Sequence, residues 1–277
     1  MVAQYTEIQN KENINKDYIE IGIGLSLVDN LKPSEYFKQT LTTAKTYQEL
    51  EISIKTYYQN KKLDIQQICE KECDLVSINI AKFLDNNSFR FSPIALKIIH
   101  KNIFQDAFVQ GLEKYVGVFR DVNIAKNEDI LGGDKSVEYV DFNEISDTLE
   151  YDFDKEKKKN YLLMSKEEQV LNIAKFISDI WQIHPFREGN TRTIAVFAIK
   201  YLQSKGFEAN NDIFKNNSKY FRDALVLANY ENIKNNIKSD FSYLESFFNK
   251  FILNKQVELK KLPYDKNNHL IVDKVSL

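Results

Sequence analysis

Ten residues, His184-Pro185-Phe186-Arg187-Glu188-Gly189-Asn190-Thr191-Arg192-Thr193, stand between two stretches of helical periodicity, and they restrict the fold more tightly than any other part of the chain. Upstream, Ser165 and Glu168 have the spacing of a capping box, the hydroxyl closing a helix N-terminus and the carboxylate reaching back to it. Val170, Ile173, Ala174, Ile177, Ile180 and Trp181 then recur at helical spacing, which predicts a buried helix running to Ile183. Pro185 disfavours helical geometry at His184 and removes a backbone donor, so that helix stops at the histidine. Downstream, Ile194, Ala195, Val196, Ala198, Ile199 and Leu202 define a second helix, and Gly189-Asn190-Thr191 turns the chain into it. A glycine-containing turn at a helix N-terminus leaves backbone N–H groups pointing outward, a ready anion site.

These residues resemble the signature of the Fic family, His-Pro-Phe-x-(Asp/Glu)-Gly-Asn-(Gly/Lys)-Arg-x-x-Arg. The match holds through Arg192, with Thr191 at the small-or-basic position, and departs at Ala195, where the pattern has a second arginine. The likeness extends from about Phe89 to Phe251, which reads as a complete core of that family. It implies a mainly α fold, a Fic/Doc-type helical bundle with a small β-hairpin flap and an N-terminal helical region. It also implies an activity, transfer of AMP from ATP to a Ser, Thr or Tyr hydroxyl of a target protein or of the protein itself. In that reading His184 is the general base, since a neutral imidazole titrates near working pH. Glu188 holds Mg2+ together with phosphate oxygens, because magnesium commonly takes only one or two protein carboxylates. The N–H groups around Gly189 to Thr191, with the Asn190 amide, stabilise charge on the transferred phosphate. Arg192 offers a fork to a phosphate that is not transferred. Phe186 packs the loop against the core, and Arg187 receives no role.

Two further parts of the chain take meaning from the same resemblance. Residues Ile130 to Val140 break the helical pattern and alternate after Gly132-Gly133, which predicts a β-hairpin. Periodicity alone makes this an ordinary surface hairpin. By resemblance it is a flap over the active site that registers the target through main-chain pairing, with Ser136, Val137, Glu138 and Tyr139 as docking candidates. Similar enzymes hold the adenine with a later aromatic residue and an asparagine. Those positions fall on Phe221 and Asn229, or on Tyr220 if the register slips by one, and a core role for these aromatics is an equal reading.

Regulation is where the chain departs from the pattern. Many Fic enzymes are self-inhibited by a helix bearing (Ser/Thr)-x-x-x-Glu-(Gly/Asn), whose glutamate pairs with the second motif arginine. Ser77 to Lys82 is the best positional candidate, with Ala81 where the glutamate should stand and Ala195 where its partner should. Losing one member would strand a charge at roughly 3–5 kcal/mol, whereas losing both removes the conflict. The expectation is that the usual Glu–Arg autoinhibition is absent. With one phosphate clamp fewer, a reversed ATP would give a Doc-like protein kinase, the first alternative. A non-catalytic nucleotide-binding interaction protein is the second.

Composition bounds the rest. Of 277 residues, 43% are hydrophobic and only 8 are Gly and 4 Pro, so the chain has material for a sizeable core and few helix breakers. The expected division is an N-terminal helical region over 1–86 carrying the degenerate inhibitory segment, a Fic core over 87–255, and a C-terminal tail over 256–277. Ile21-Gly22-Ile23-Gly24-Leu25 reads as a loop or docking segment. Pro33-Ser34 opens one helix and Tyr47 to Tyr58 forms another. Asp64 caps a longer one through Phe83, with Ile65, Ile68, Cys69, Val76 and Ile80 inward. The 38 basic and 40 acidic residues give a net charge of -2 and no basic face for nucleic acid. The run Lys155-Glu156-Lys157-Lys158-Lys159 reads as a solvated edge. No apolar stretch reaches membrane-spanning length and no secretory signal opens the chain, so a cytoplasmic location is expected. Cys69 and Cys73 have no second cysteine pair and read as reduced packing residues. The implied partners are a nucleotide and a target protein, and self-association through the N-terminal helices is a route by which access could be regulated.

Overall fold

The computed structural model describes residues 13–108, 111–133, 135–253 and 258–263. Ten α-helices account for most of them: α1 Lys16–Ser26, α2 Glu35–Thr43, α3 Tyr47–Tyr58, α4 Ile65–Asp85, α5 Pro93–Phe104, α6 Ile145–Lys157, α7 Lys166–Ile183, α8 Asn190–Ser204, α9 Ile213–Asn229 and α10 Ser242–Leu253. The starts follow local chemistry. Asn15, Ser34 and Thr46 each accept a backbone N–H of the first turn they precede. Reciprocal capping boxes close α4 (Asp64 with Gln67) and α7 (Ser165 with Glu168), and Pro93 opens α5. The fold is mainly α, as the sequence implies.

The middle of the bundle is α8. Every residue from Asn190 to Leu202 is buried, and α1, α4, α5 and α7 pack around it. A helix enclosed on all sides carries apolar residues all round, which is why its predicted face of Ile194, Ala195, Val196, Ala198, Ile199 and Leu202 merges with Phe197 and Tyr201. The predicted inward face of α7, from Val170 to Trp181, is buried throughout.

Three expectations are corrected. Ile21 to Leu25 is helical and belongs to α1. Its glycines serve close packing: a Cβ on Gly22 would lie 2.6 Å from the Ser77 Cα, and one on Gly24 would lie 2.3 Å from the Phe214 carbonyl oxygen. α1 therefore wedges between α4 and α9, a purpose local pattern does not reveal. Ile65 is 80% exposed because it occupies the first turn of α4, beyond the reach of the core. The hairpin at Ile130 to Val140 is not formed among the described residues. A short 3-10 turn, Asp129–Leu131, leads into Gly132 and Gly133, and two backbone bonds close it, Glu128 N–H to Lys135 O at 2.9 Å and Gly133 N–H to Glu128 O at 3.1 Å. Of the following residues, Val137 is buried in the core and Tyr139 stacks on His184, with no ladder among the described residues. Residues 1–12, 254–257 and 264–277, including most of the expected C-terminal tail, lie outside the described part.

Candidate active site

His184 closes α7 in the left-handed region, φ +50°, with its N–H donated to the Trp181 carbonyl at 3.0 Å. Its Nδ1 also lies 3.3 Å from that oxygen. A carbonyl only accepts, so Nδ1 carries the proton and Nε2 is the acceptor, the tautomer a base needs. Arg120 fixes the turn from outside. Its Nε donates to the His184 carbonyl at 2.8 Å, its guanidinium reaches the Ile183 and Val140 carbonyls, and its own N–H donates to Pro185 O at 2.8 Å. The imidazole is 3% exposed, stacked beneath Tyr139 at 3.9 Å between ring centres. Burial, and then the nearby Lys126 charge, push His184 well below the ordinary histidine range. It stays neutral, as expected of a base, but its titration lies below the pH assumed from sequence.

The turn into α8 needs glycine. Gly189 has φ +75°, and a Cβ there would meet the Phe104 ring at 2.2 Å. Asn190 does not face outward as expected. Its Oδ1 accepts the Phe186 N–H at 2.9 Å and its Nδ2 donates to the Phe186 carbonyl at 2.7 Å, so the whole amide shapes the loop. The Thr191 hydroxyl accepts from Trp181 Nε1 at 3.1 Å. Phe186 is buried against the His100 ring, 4.0 Å away. His100 in turn donates to Glu188 O at 3.1 Å and accepts from Gly117 N–H at 2.9 Å. Burial drives its pKa down to about 4. No side-chain cap hydrogen bond is made at the start of α8, the condition in which a helix N-terminus can take an anion.

Beside this turn is a cavity of about 390 Å³. Its basic residues are Lys126, Arg192, Lys219 and Arg222, and its acidic ones Asp29, Glu72, Glu128, Asp129, Glu188 and Asp223, a lining charge of 4 − 6 = −2. Every cation is paired. Arg192, 1% exposed, meets Glu72 at 2.8 Å and Asp29 at 3.1 Å and lies over the Phe104 ring. Its buried Nε has no hydrogen-bond partner. Arg222 bridges Asp29 and Glu128, both at 3.0 Å, Lys219 meets Asp223 at 3.1 Å, and Tyr139 donates to Glu128 at 3.3 Å. Lys126 Nζ is 2.8 Å from both oxygens of Glu188. Burial pushes the Glu188 carboxyl up, but Lys126 outweighs it and holds the group below the usual range. Magnesium is expected at this carboxylate. Glu188 instead presents both its oxygens to an ammonium. As arranged, these residues do not fit a divalent ion.

The other predicted site residues scatter. Phe221 is fully buried among Phe214, Phe247 and Phe248 and presents no face to a base; its position on α9 is a core position, and the equal reading given to it above is the one observed. Tyr220 donates to Lys260 O at 2.8 Å, away from the cavity lining. Asn229 donates to Ser178 Oγ and Leu225 O, and lines a second cavity of about 430 Å³ with Ser136 and Glu138. Among the four docking candidates Val137 is buried, the Ser136 hydroxyl accepts the Lys126 N–H at 3.1 Å, Tyr139 covers His184, and Glu138 is exposed. Ser77, Ala81 and Ala195 are buried. No acid stands at 81 and no arginine at 195, but Glu72, earlier on α4, reaches Arg192.

Asp29, Glu72, His100, Arg120 and Lys126 have no place in the sequence reading. Each meets the motif from 60 or more residues away, and no local spacing announces such pairs.

The motif thus forms a short helix-turn-helix that sets a fixed histidine, a helix N-terminus without a side-chain cap and a buried arginine beside a polar cavity. Residues 90–202 match the family described as Fic/DOC family. Among solved structures the chain is similar to the BepC protein, a VirB-translocated effector of Bartonella tribocorum with bound AMPPNP. The identity is 18%, the TM-score 0.54, and the match covers 71% of this chain and 96% of that one. It is also similar to the N-terminal FIC domain of the Bep8 effector from Bartonella sp. 1-1C, at 21% identity and TM-score 0.52, covering 73% and 93%. No curated protein matches the chain.

Proposed function

We propose that this protein is a transferase that moves AMP from ATP to a hydroxyl of a target protein, or of its own chain. The observation that carries the reading is the arrangement of His184 and α8. One end of the imidazole is tied to the Trp181 carbonyl and the other left as an acceptor, one turn of chain before an uncapped helix N-terminus. The buried, unpartnered Nε of Arg192 adds a donor of the kind a phosphate would satisfy. The bound AMPPNP of the BepC structure supports a nucleotide as the ligand. In the reaction, His184 Nε2 takes the proton of the target hydroxyl. The oxygen bonds to the α-phosphorus, and the bond to the bridging oxygen breaks as pyrophosphate leaves. The α8 N–H groups face the charge that builds on the α-phosphate. Magnesium on Glu188 is not part of this reading, because Lys126 holds both carboxylate oxygens.

Two groups must move first. Tyr139 lies over His184, and Arg192 is held by Glu72 and Asp29. The usual glutamate switch is missing at positions 81 and 195, yet these contacts hold the site closed by another route. The 1–86, 87–255 and 256–277 division becomes functional in this light: the first region supplies Asp29 and Glu72 to the second. The free thiols Cys69 and Cys73 fit a reducing compartment, and we place the activity in the cytoplasm. No helix of the described residues is long and apolar enough to cross a membrane. The covered histidine favours one second reading, a nucleotide-binding protein without transfer. ATP labelled at the α- or the γ-phosphate, incubated with wild type and His184→Ala in cell extract, separates the readings. Label from the α position alone, lost in the variant, is expected. Label from the γ position alone would make the protein a kinase, and binding without label would leave the non-catalytic reading.

A further inference from the structure

Resting on the nucleotide reading above, we propose that Lys126 is the cation of this site, so that nucleotide phosphates bind against its ammonium without a divalent ion. The Nζ sits 2.8 Å from each Glu188 oxygen, and Oε1 also accepts the Gly189 N–H at 3.0 Å. A magnesium ion needs an oxygen at about 2.0–2.1 Å. An ion bridging the two oxygens that face Lys126 would take the place of the ammonium, so at that face ion and lysine are alternative occupants.

The lysine is placed to act. Its backbone N–H is pinned by Ser136 Oγ at 3.1 Å, and Glu128, two residues on, is tied to Lys135. With its ammonium on Glu188, the side chain lines the cavity wall together with Arg192. An ammonium has three donors. Glu188 takes two of them, and the third remains for a phosphate oxygen, a point-charge contact of the kind lysine makes in other phosphate sites. Glu188 then has a role that differs from metal binding: it positions the lysine. The arrangement joins residues 62 positions apart, one in the segment before the flap and one in the motif.

The test is ATP binding by calorimetry, in excess EDTA and in excess Mg2+, for wild type, Lys126→Met and Lys126→Arg. Wild type is expected to bind equally well, within about twofold, in both conditions. Lys126→Met should lose at least roughly tenfold in EDTA, the equivalent of about 1.4 kcal/mol, and recover in Mg2+ because Glu188 is freed. Lys126→Arg keeps the charge and should follow wild type. Titration of the nucleotide-free proteins with Mn2+, followed by water proton relaxation, gives a second readout. Lys126→Met should gain a bound ion that wild type lacks and that Glu188→Gln removes. Wild-type binding that appears only with Mg2+ overturns the proposal and leaves the nucleotide reading standing. Absence of binding by wild type in both conditions overturns the nucleotide reading and the proposal with it.

Discussion

The acidic hold on Arg192 leads to a prediction with opposite signs for stability and affinity. In Glu72→Ala one of the two carboxylates on a 1% exposed guanidinium is removed, with Glu72 itself only 17% exposed. Breaking a buried pair outright costs roughly 3–5 kcal/mol, but Asp29 remains at 3.1 Å. The loss is then nearer one charged hydrogen bond, about 2 kcal/mol. Alanine is the best helix former, so α4 itself is not weakened. For a chain of this size the melting temperature should fall by roughly 4–8 °C. If phosphate must displace Glu72 from Arg192, the same free energy opposes binding in wild type and not in the variant. ATP should therefore bind roughly twentyfold more tightly to Glu72→Ala. Calorimetric titration and thermal melts of the same preparations measure both effects. In an Arg192→Ala background, Glu72→Ala should cost almost nothing, which a double-mutant cycle reads directly. A variant that loses stability and affinity together would refute the reasoning, since Glu72 would then be supporting the bound state.

The other predictions concern the frame of the site. Gly189→Ala combines left-handed strain, about 1–2 kcal/mol, with overpacking against Phe104, about 1–3 kcal/mol; urea unfolding should show a loss near their sum, and a neutral result would contradict the turn geometry. Arg120→Met removes charged donors from the His184 and Ile183 carbonyls and should destabilise by roughly 2–4 kcal/mol in the same assay. For His100, whose folded pKa is lowered to about 4 from an ordinary value near 6.5, the unfolded chain takes a proton the folded chain refuses. Wild-type stability is therefore lost as pH falls through this window, and its advantage over His100→Gln should shrink between pH 6.5 and 4. Tyr139→Ala should uncover His184 and bring its NMR titration back up towards the ordinary histidine range, while Tyr139→Phe, which keeps the stack, should not.

How much of this could be read from sequence depends on the distance over which each feature is determined. The cap at Asp64, the capping box at Ser165, the stop at His184-Pro185 and the buried faces of α7 and α8 are set within a few residues, and they are found where expected. The glycines of α1 failed because their cause is remote: they make room for the Ser77 and Phe214 backbones, 55 and 190 residues away, and local rules see only two helix breakers. The flap failed for a related reason. Alternation after Gly132-Gly133 is the mark of a strand with one buried face, but here the buried face is made by Val137 packing into the core and Tyr139 stacking on His184, so alternation is satisfied without a partner strand. The site divides along the same line. His184, Glu188, Gly189 and Arg192 are local and legible; the charges that decide what they can do, Asp29, Glu72 and Lys126, arrive from three other segments. A motif of four legible residues therefore marks where the site lies, while the contacts that hold its charges are made in pairs that only the fold assembles. That is why Asn190, read as a phosphate donor, serves as a loop clip instead: its partner, the Phe186 backbone, is close in sequence, but the loop that needs clipping exists only once His100 and Phe104 stand behind it.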